Sequence, residues 1–76
     1  MNKRTMDRET TNLEQVHILK TVGYRGYRAK KRYEKLEYSI EVTAFNKNGL
    51  RLIGSGSTLD KAYENLIVRI DMTLDG

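Results

Sequence analysis

The carboxyl-terminal half of the chain carries the clearest alternation of apolar and polar positions. From Leu36 to Phe45, residues Tyr38, Ile40, Val42 and Ala44 alternate with Ser39, Glu41 and Thr43, which is the period of a strand with one buried and one wet face. The next four residues, Asn46-Lys47-Asn48-Gly49, contain an Asn-Gly pair that supplies the positive φ a hairpin reversal demands, so Leu50 to Ile53 is predicted as the returning strand. Gly54-Ser55-Gly56-Ser57-Thr58 ends that strand and opens a helix, with Ser57 or Thr58 available as N-cap. Beyond it, Leu59, Ala62, Tyr63, Leu66, Ile70 and Leu74 recur at three- and four-residue spacing and form one apolar stripe. A helix with that stripe lies on the sheet and turns Lys61, Glu64, Asn65, Val68 and Arg69 away from it.

The first half is less regular. Residues 1–12 are polar and aperiodic, and they predict a mobile basic arm. Between Leu13 and Val22 two periods compete: Val16, Ile18 and Val22 alternate as in a strand, whereas Leu13, Val16 and Lys20 space as on a helix. Asn12 with Gln15 three positions later is the polar pairing that opens helices, and Gly23 is suited to stop one. Residues 24–35 predict a short strand at Tyr24 to Arg28 followed by a basic loop. The fold class expected is therefore α+β: a three-stranded antiparallel sheet packed against a C-terminal helix, in an α-β-β-β-α order if the first segment is helical. Residues 13–76 would form the single domain.

Size narrows the options. Seventy-six residues lie near the lower limit for a lone hydrophobic core, since surface grows relative to volume as chains shorten. The chain has no cysteine, which removes disulfides and thiolate metal sites and leaves packing, or a partner, to stabilise it. No apolar run approaches a membrane span and no signal-type stretch follows the charged start, so a cytoplasmic protein without membrane contact is expected.

Charge adds a functional hint. Residues 1–35 carry ten Lys or Arg against four acids, a net of +6, while residues 36–76 carry four against six, a net of −2. Six cations (Arg25, Arg28, Lys30, Lys31, Arg32 and Lys35) fall between positions 25 and 35, interleaved with Tyr24, Tyr27 and Tyr33. Cations for phosphates beside rings for stacking are the usual electrostatic footprint of a nucleic-acid binder, and a solvated loop kept for solubility is the plainer alternative.

Other motifs favour structural roles. Gly54-Ser55-Gly56 before a helix invites a phosphate-loop reading, but it lacks the third glycine and the lysine-hydroxyl ending of a nucleotide loop. His17, the only histidine, has no local nucleophile or carboxylate and reads as a partly buried structural residue. Glu37 and Glu41 share a strand face that Glu34 does not, which makes a solvated acidic row rather than a metal site. Tyr38 and Tyr63 are assigned to the core or its edge, leaving Tyr24, Tyr27 and Tyr33 for stacking. Neither a catalytic constellation nor a cofactor motif is present, so no enzyme activity, cofactor or metal is expected.

The run Tyr38-Ser39-Ile40-Glu41-Val42, together with Gly54-Ser55-Gly56-Ser57-Thr58 and Ala62, resembles the second strand and the final turn-into-helix of double-stranded RNA-binding domains. That resemblance spans roughly residues 12–74 and is specific over 38–62. It implies two helices on one face of a three-stranded sheet, with RNA shape read by the first helix (Glu14, Gln15 or His17), a strand-connecting loop and the start of the last helix. The family's Gly-Pro-x-His loop is replaced here by Arg28-Ala29-Lys30-Lys31-Arg32, and its lysine pair by Leu59-Asp60, with only Lys61 near. Tyr24-Arg25-Gly26-Tyr27-Arg28 and the strands that follow are also similar to the three-stranded DNA-binding domains of the AP2 and integrase arm-binding kind. In those the sheet enters the major groove, which would use Arg25, Arg28 and Arg51.

The function expected from these features is non-enzymatic nucleic-acid binding to duplex RNA or DNA. Arg25, Arg28, Lys30, Lys31, Arg32 and Lys61 would contact phosphates, and Tyr27 and Tyr33 would stack. The alternative is a small inhibitor or adaptor of phage or mobile-element type that binds a host protein, or a homodimer formed through the sheet.

Overall fold

The computed structural model describes residues 13–76, so the expected basic arm lies outside the described residues. The first element, α1, is a helix over residues 13–21, which resolves the competition of periods in favour of the helix. The backbone N–H groups of Val22 and Gly23 both close on the Ile18 carbonyl, at 3.0 and 2.8 Å, and Gly23 takes φ 105°, ending the helix as a glycine can. Leu19 is the residue α1 buries fully, with Val16 packed partly beside it. His17 is exposed, contrary to the partly buried position expected, because the buried stripe runs through Val16 and Leu19 and turns His17 and Ile18 outward.

The chain reverses at once. Tyr24 and Tyr27 exchange two backbone hydrogen bonds, of 2.7 and 2.9 Å, around Arg25 at φ 50° and Gly26 at φ 90°. Two consecutive positive φ values define the type I′ turn, whose twist matches that of paired strands. The first strand therefore begins at Tyr27 and not at Tyr24.

Four strands make one antiparallel sheet: β1 (Tyr27–Ala29), β2 (Glu34–Lys35), β3 (Ile40–Asn46) and β4 (Arg51–Gly56). β3 is central. β1 and β2 follow one another along the same edge of β3, with Ala29 opposite Ala44 and Glu34 opposite Glu41. The chain thus advances five residues on the outer side while β3 advances three. This two-residue excess is a bulge at residues 30–33, and it makes β1 and β2 two halves of one interrupted strand. The expected three-stranded layout is this arrangement, with its first strand broken.

Two strand boundaries differ from the sequence pattern. The alternation from Leu36 predicted a strand there, whereas Leu36 to Ser39 form the reversal between β2 and β3, closed by Leu36 N–H on the Ser39 carbonyl at 2.7 Å. Tyr38, expected on the buried face, stands at that tip and is 89% exposed. At the other side β4 runs on to Gly56, so Gly54-Ser55-Gly56 is strand and not loop. These glycines face the second helix, α2 (Leu59–Asp75), and allow it to lie close. A β-carbon on Gly54 would stand 2.5 Å from Ala62 O and Leu66 N, and one on Gly56 would stand 2.6 Å from Ala62 N. Their purpose is contact between strand and helix.

Thr58 caps α2, its hydroxyl accepting from the Lys61 N–H at 3.2 Å. The helix buries Ala62, Tyr63, Leu66, Ile67 and Ile70 against Tyr27, Val42 and Ala44 of the sheet and Leu19 of α1. Leu74, the last member of the predicted stripe, is exposed, and Ile67 takes part instead. Both helices cover one face of the sheet, and among the described residues the other face is bare. Among the described residues, no helix is long and apolar enough to cross a membrane.

Candidate nucleic-acid interface

In an antiparallel sheet, directly opposed residues point to the same side. Val42 and Ala44 face the helices, so Thr43 and Phe45 face the bare side. In register, Arg28 and Arg51 flank Phe45 from the two neighbouring strands, giving a transverse row Arg28–Phe45–Arg51. The Lys30 N–H bonds the Thr43 carbonyl at 2.8 Å where the bulge begins, and the Lys30 ammonium stands 5.8 Å from the centre of the Phe45 ring.

Two shallow depressions meet at Lys30 and Phe45. One, of about 580 Å³, wraps from the end of α1 over the β1 edge to the β3–β4 turn. Its charged lining is Lys20, Arg28, Lys30, Lys31 and Lys47, with no carboxylate among the described residues. The other, of about 590 Å³, lies over the bare face and is lined by Lys30, Arg32, Lys35 and Arg51, but also by Glu34 and Glu41. Those two carboxylates are register partners, a like-charged pair that a polyanion avoids. The structure corrects the expected acidic row here, because Glu37 sits in the reversal and the residue facing Glu41 is Glu34. The positive surface thus runs across the β1 edge and the Arg28–Phe45–Arg51 row, and the acidic pair lies at the β2 end.

The predicted site residues separate into two groups. Arg28, Lys30, Lys31 and Arg32 come together on this surface, and Tyr33 borders it at 49% exposure. Three others do not join them. Arg25 is bound within the protein: its guanidinium donates to Asp71 at 2.9 Å and to both carboxylate oxygens of Asp75 at 3.0 and 2.7 Å. Tyr27, expected to stack, is 3% exposed because the type I′ turn brings it onto the helix-facing side of β1. Lys61 lies in the first turn of α2 and lines neither depression.

The Arg25 clamp has its own physical logic. Carboxylates near a helix C-terminus oppose the macrodipole, and the last turn of α2 has no basic residue to compensate. Arg25, aimed by its left-handed backbone, supplies that charge from another part of the chain. Hydrogen bonds from Arg25 hold the Asp75 carboxyl below the usual carboxylate range, and the same contacts, with Asp75 first, raise the guanidinium further above neutrality. The Tyr24 hydroxyl donates to Asp71 at 2.7 Å, and burial foremost, then that bond, raises its phenol. Tyr63 is raised by burial, with the nearby Tyr33 phenol adding to it. The Lys20 ammonium stands 5.1 Å from the centre of the Tyr63 ring and ties α1 to α2. Among the described residues the ion pairs are those of Arg25, so the cations of the two depressions have no carboxylate within salt-bridge distance there.

Phe45, Lys20 and Lys47 were not singled out from sequence. Lys20 and Lys47 lie outside the basic run and reach it only through the fold. Phe45 ends the alternating strand in phase with Ser39, Glu41 and Thr43, so the alternation itself places it on the wet face, and that signal could have singled it out. No family model, curated protein or solved structure matches the chain.

Proposed function

We propose that the protein is a non-enzymatic nucleic-acid-binding module that grips the phosphate backbone with the β1 edge and the adjoining bare sheet face. The observation that carries this reading is the depression lined by Lys20, Arg28, Lys30, Lys31 and Lys47 without a carboxylate among the described residues. Cations that converge without carboxylate partners gain most from a polyanion, whose condensed counterions are released on contact. The opposite layer differs in sign: α2 carries Asp60, Glu64, Asp71 and Asp75 against Lys61 and Arg69, and Arg25, clamped on the last two acids, leaves the layer one charge negative. The molecule is thus electrically polarised and would approach a polyanion sheet edge first. The resemblance to double-stranded RNA-binding domains rests on sequence alone. The surface that family uses at the start of its last helix would present Asp60 here, so the β1-edge reading does not depend on it.

The test is anisotropy titration of labelled single- and double-stranded oligonucleotides with the wild type and with Arg28, Lys30, Lys31 and Arg32 all replaced by Ser. These side chains are exposed, so the variant should keep its circular dichroism and melting temperature while binding is lost. Unchanged affinity would refute the assignment.

A protein partner is the second reading, favoured by one observation. Among the described residues the outer edge of β4 is unpaired by any strand, and beside it Ile53, Val68 and Met72 are exposed around a groove of about 540 Å³. Such an edge accepts a strand from another chain. Binding there would be insensitive to the quadruple Ser substitution and only weakly sensitive to salt.

A further inference from the structure

Resting on the nucleic-acid reading, the arrangement of the bare face identifies the form of strand bound. Phe45 is the only phenylalanine in the chain, and it is absent from the apolar cluster that the helices cover. It sits instead on the bare sheet face near the end of β3, half-buried, borders both depressions, and has an arginine directly opposite on each side. The ring lies outside the helix-covered core, and the part of it left uncovered is open to a partner. With an arginine in the row on each side, a base that takes the place of the Lys30 ammonium over the ring would stack there while its flanking phosphates meet cations.

In a duplex the faces of the bases are covered by their neighbours, so a ring projecting from a sheet has nothing to stack on. The carboxylates of Glu34 and Glu41, two rows beyond on the same face, add to this selection. They repel a second, paired backbone lying along the strands, whereas a single strand crossing the sheet over Phe45 avoids them.

We propose that Phe45 is a base-stacking residue and that the protein binds unpaired nucleic acid, its row Arg28–Phe45–Arg51 taking one base and the phosphates on either side. The chain contains no tryptophan, so Phe45→Trp creates a lone indole, which can be excited selectively over the five tyrosines, at the proposed contact. Three probes are compared: a single-stranded oligonucleotide of about twelve residues, the same sequence as a duplex, and inorganic polyphosphate, which carries the charge without bases. The single strand should quench the indole emission of the Phe45→Trp variant, and polyphosphate should bind without quenching. Phe45→Leu, which keeps an apolar side chain on the sheet, should weaken single-strand affinity on the order of five- to a hundredfold while leaving the salt slope unchanged.

Duplex binding as tight as single-strand binding, or a Phe45→Leu variant with wild-type affinity, would overturn the stacking assignment and leave the phosphate-binding reading standing. Quenching by polyphosphate would overturn it too, since no base is then involved. Failure of every nucleic acid to bind the wild type at low salt would remove both.

Discussion

The closest approach in the fold, α2 on β4, gives the sharpest stability prediction. In Gly54→Ala the new methyl would stand 2.5 Å from Ala62 O and from Leu66 N and Cβ. Ordinary contact needs about 3.5 Å, so helix and strand must separate by about 1 Å. Such a gap forfeits about a quarter to a half of each affected dispersion contact. The side chains above it, Ala62, Leu66 and Ile70, are fully buried. Overpacking of this kind costs about 1–3 kcal/mol and occasionally more. Stiffening of the unfolded chain by alanine offsets about 0.4–1 kcal/mol. A net loss of about 1–2 kcal/mol lowers the melting temperature of a domain this size by roughly 4–16 °C. The assay is thermal melting followed by circular dichroism, with Ser55→Ala, on the bare face of the same strand, as a control expected to melt near wild type. A Gly54→Ala protein melting within about 3 °C of wild type would show that the helix does not rest on the strand as described.

Further outcomes follow from the same structure. Arg25→Gln should destabilise the protein at neutral pH by releasing Asp71 and Asp75. Because Arg25 depresses Asp75, the clamp's contribution is present above the ordinary carboxylate range and is lost as pH falls through the depressed Asp75 value, so the gap between the urea midpoints of variant and wild type should narrow progressively as the solution is acidified below that range. Tyr38→Ser should leave the melting temperature unchanged, since the ring is 89% exposed, and a drop of several degrees would contradict its place at the turn. Alkaline titration followed by ultraviolet absorbance should show two phenols, Tyr24 and Tyr63, ionising above the ordinary value of about 10. Lys47→Ser should reduce the salt slope of nucleic-acid binding by about one, whereas Lys61→Ser should leave it unchanged.

What the sequence made legible was local. The Asn-Gly reversal, the Thr58 cap, the Gly23 stop and most of the α2 stripe depend on residues within a few positions of one another, and each appears in the structure. The errors came from pairings between distant residues. Alternation from Leu36 onward looks like strand, but the reversal at residues 36–39 ejects Tyr38 and leaves Tyr27 to fill the core. A basic run looks like one surface, but a positive-φ turn sends Arg25 to the far end of α2, while Arg28, Lys30, Lys31 and Arg32 stay together around the bulge. Lys20, Lys47 and Phe45 complete the candidate surface from three separate elements. No local pattern could have joined them.

The central claim is that cations assembled at the β1 edge bind a polyanion. The direct measurement is the affinity of the wild-type protein for a single-stranded oligonucleotide between about 50 and 200 mM salt. With four or five phosphates neutralised, log affinity should fall against log salt with a slope of about −3. A flat profile, or no binding at the lowest salt, would contradict it.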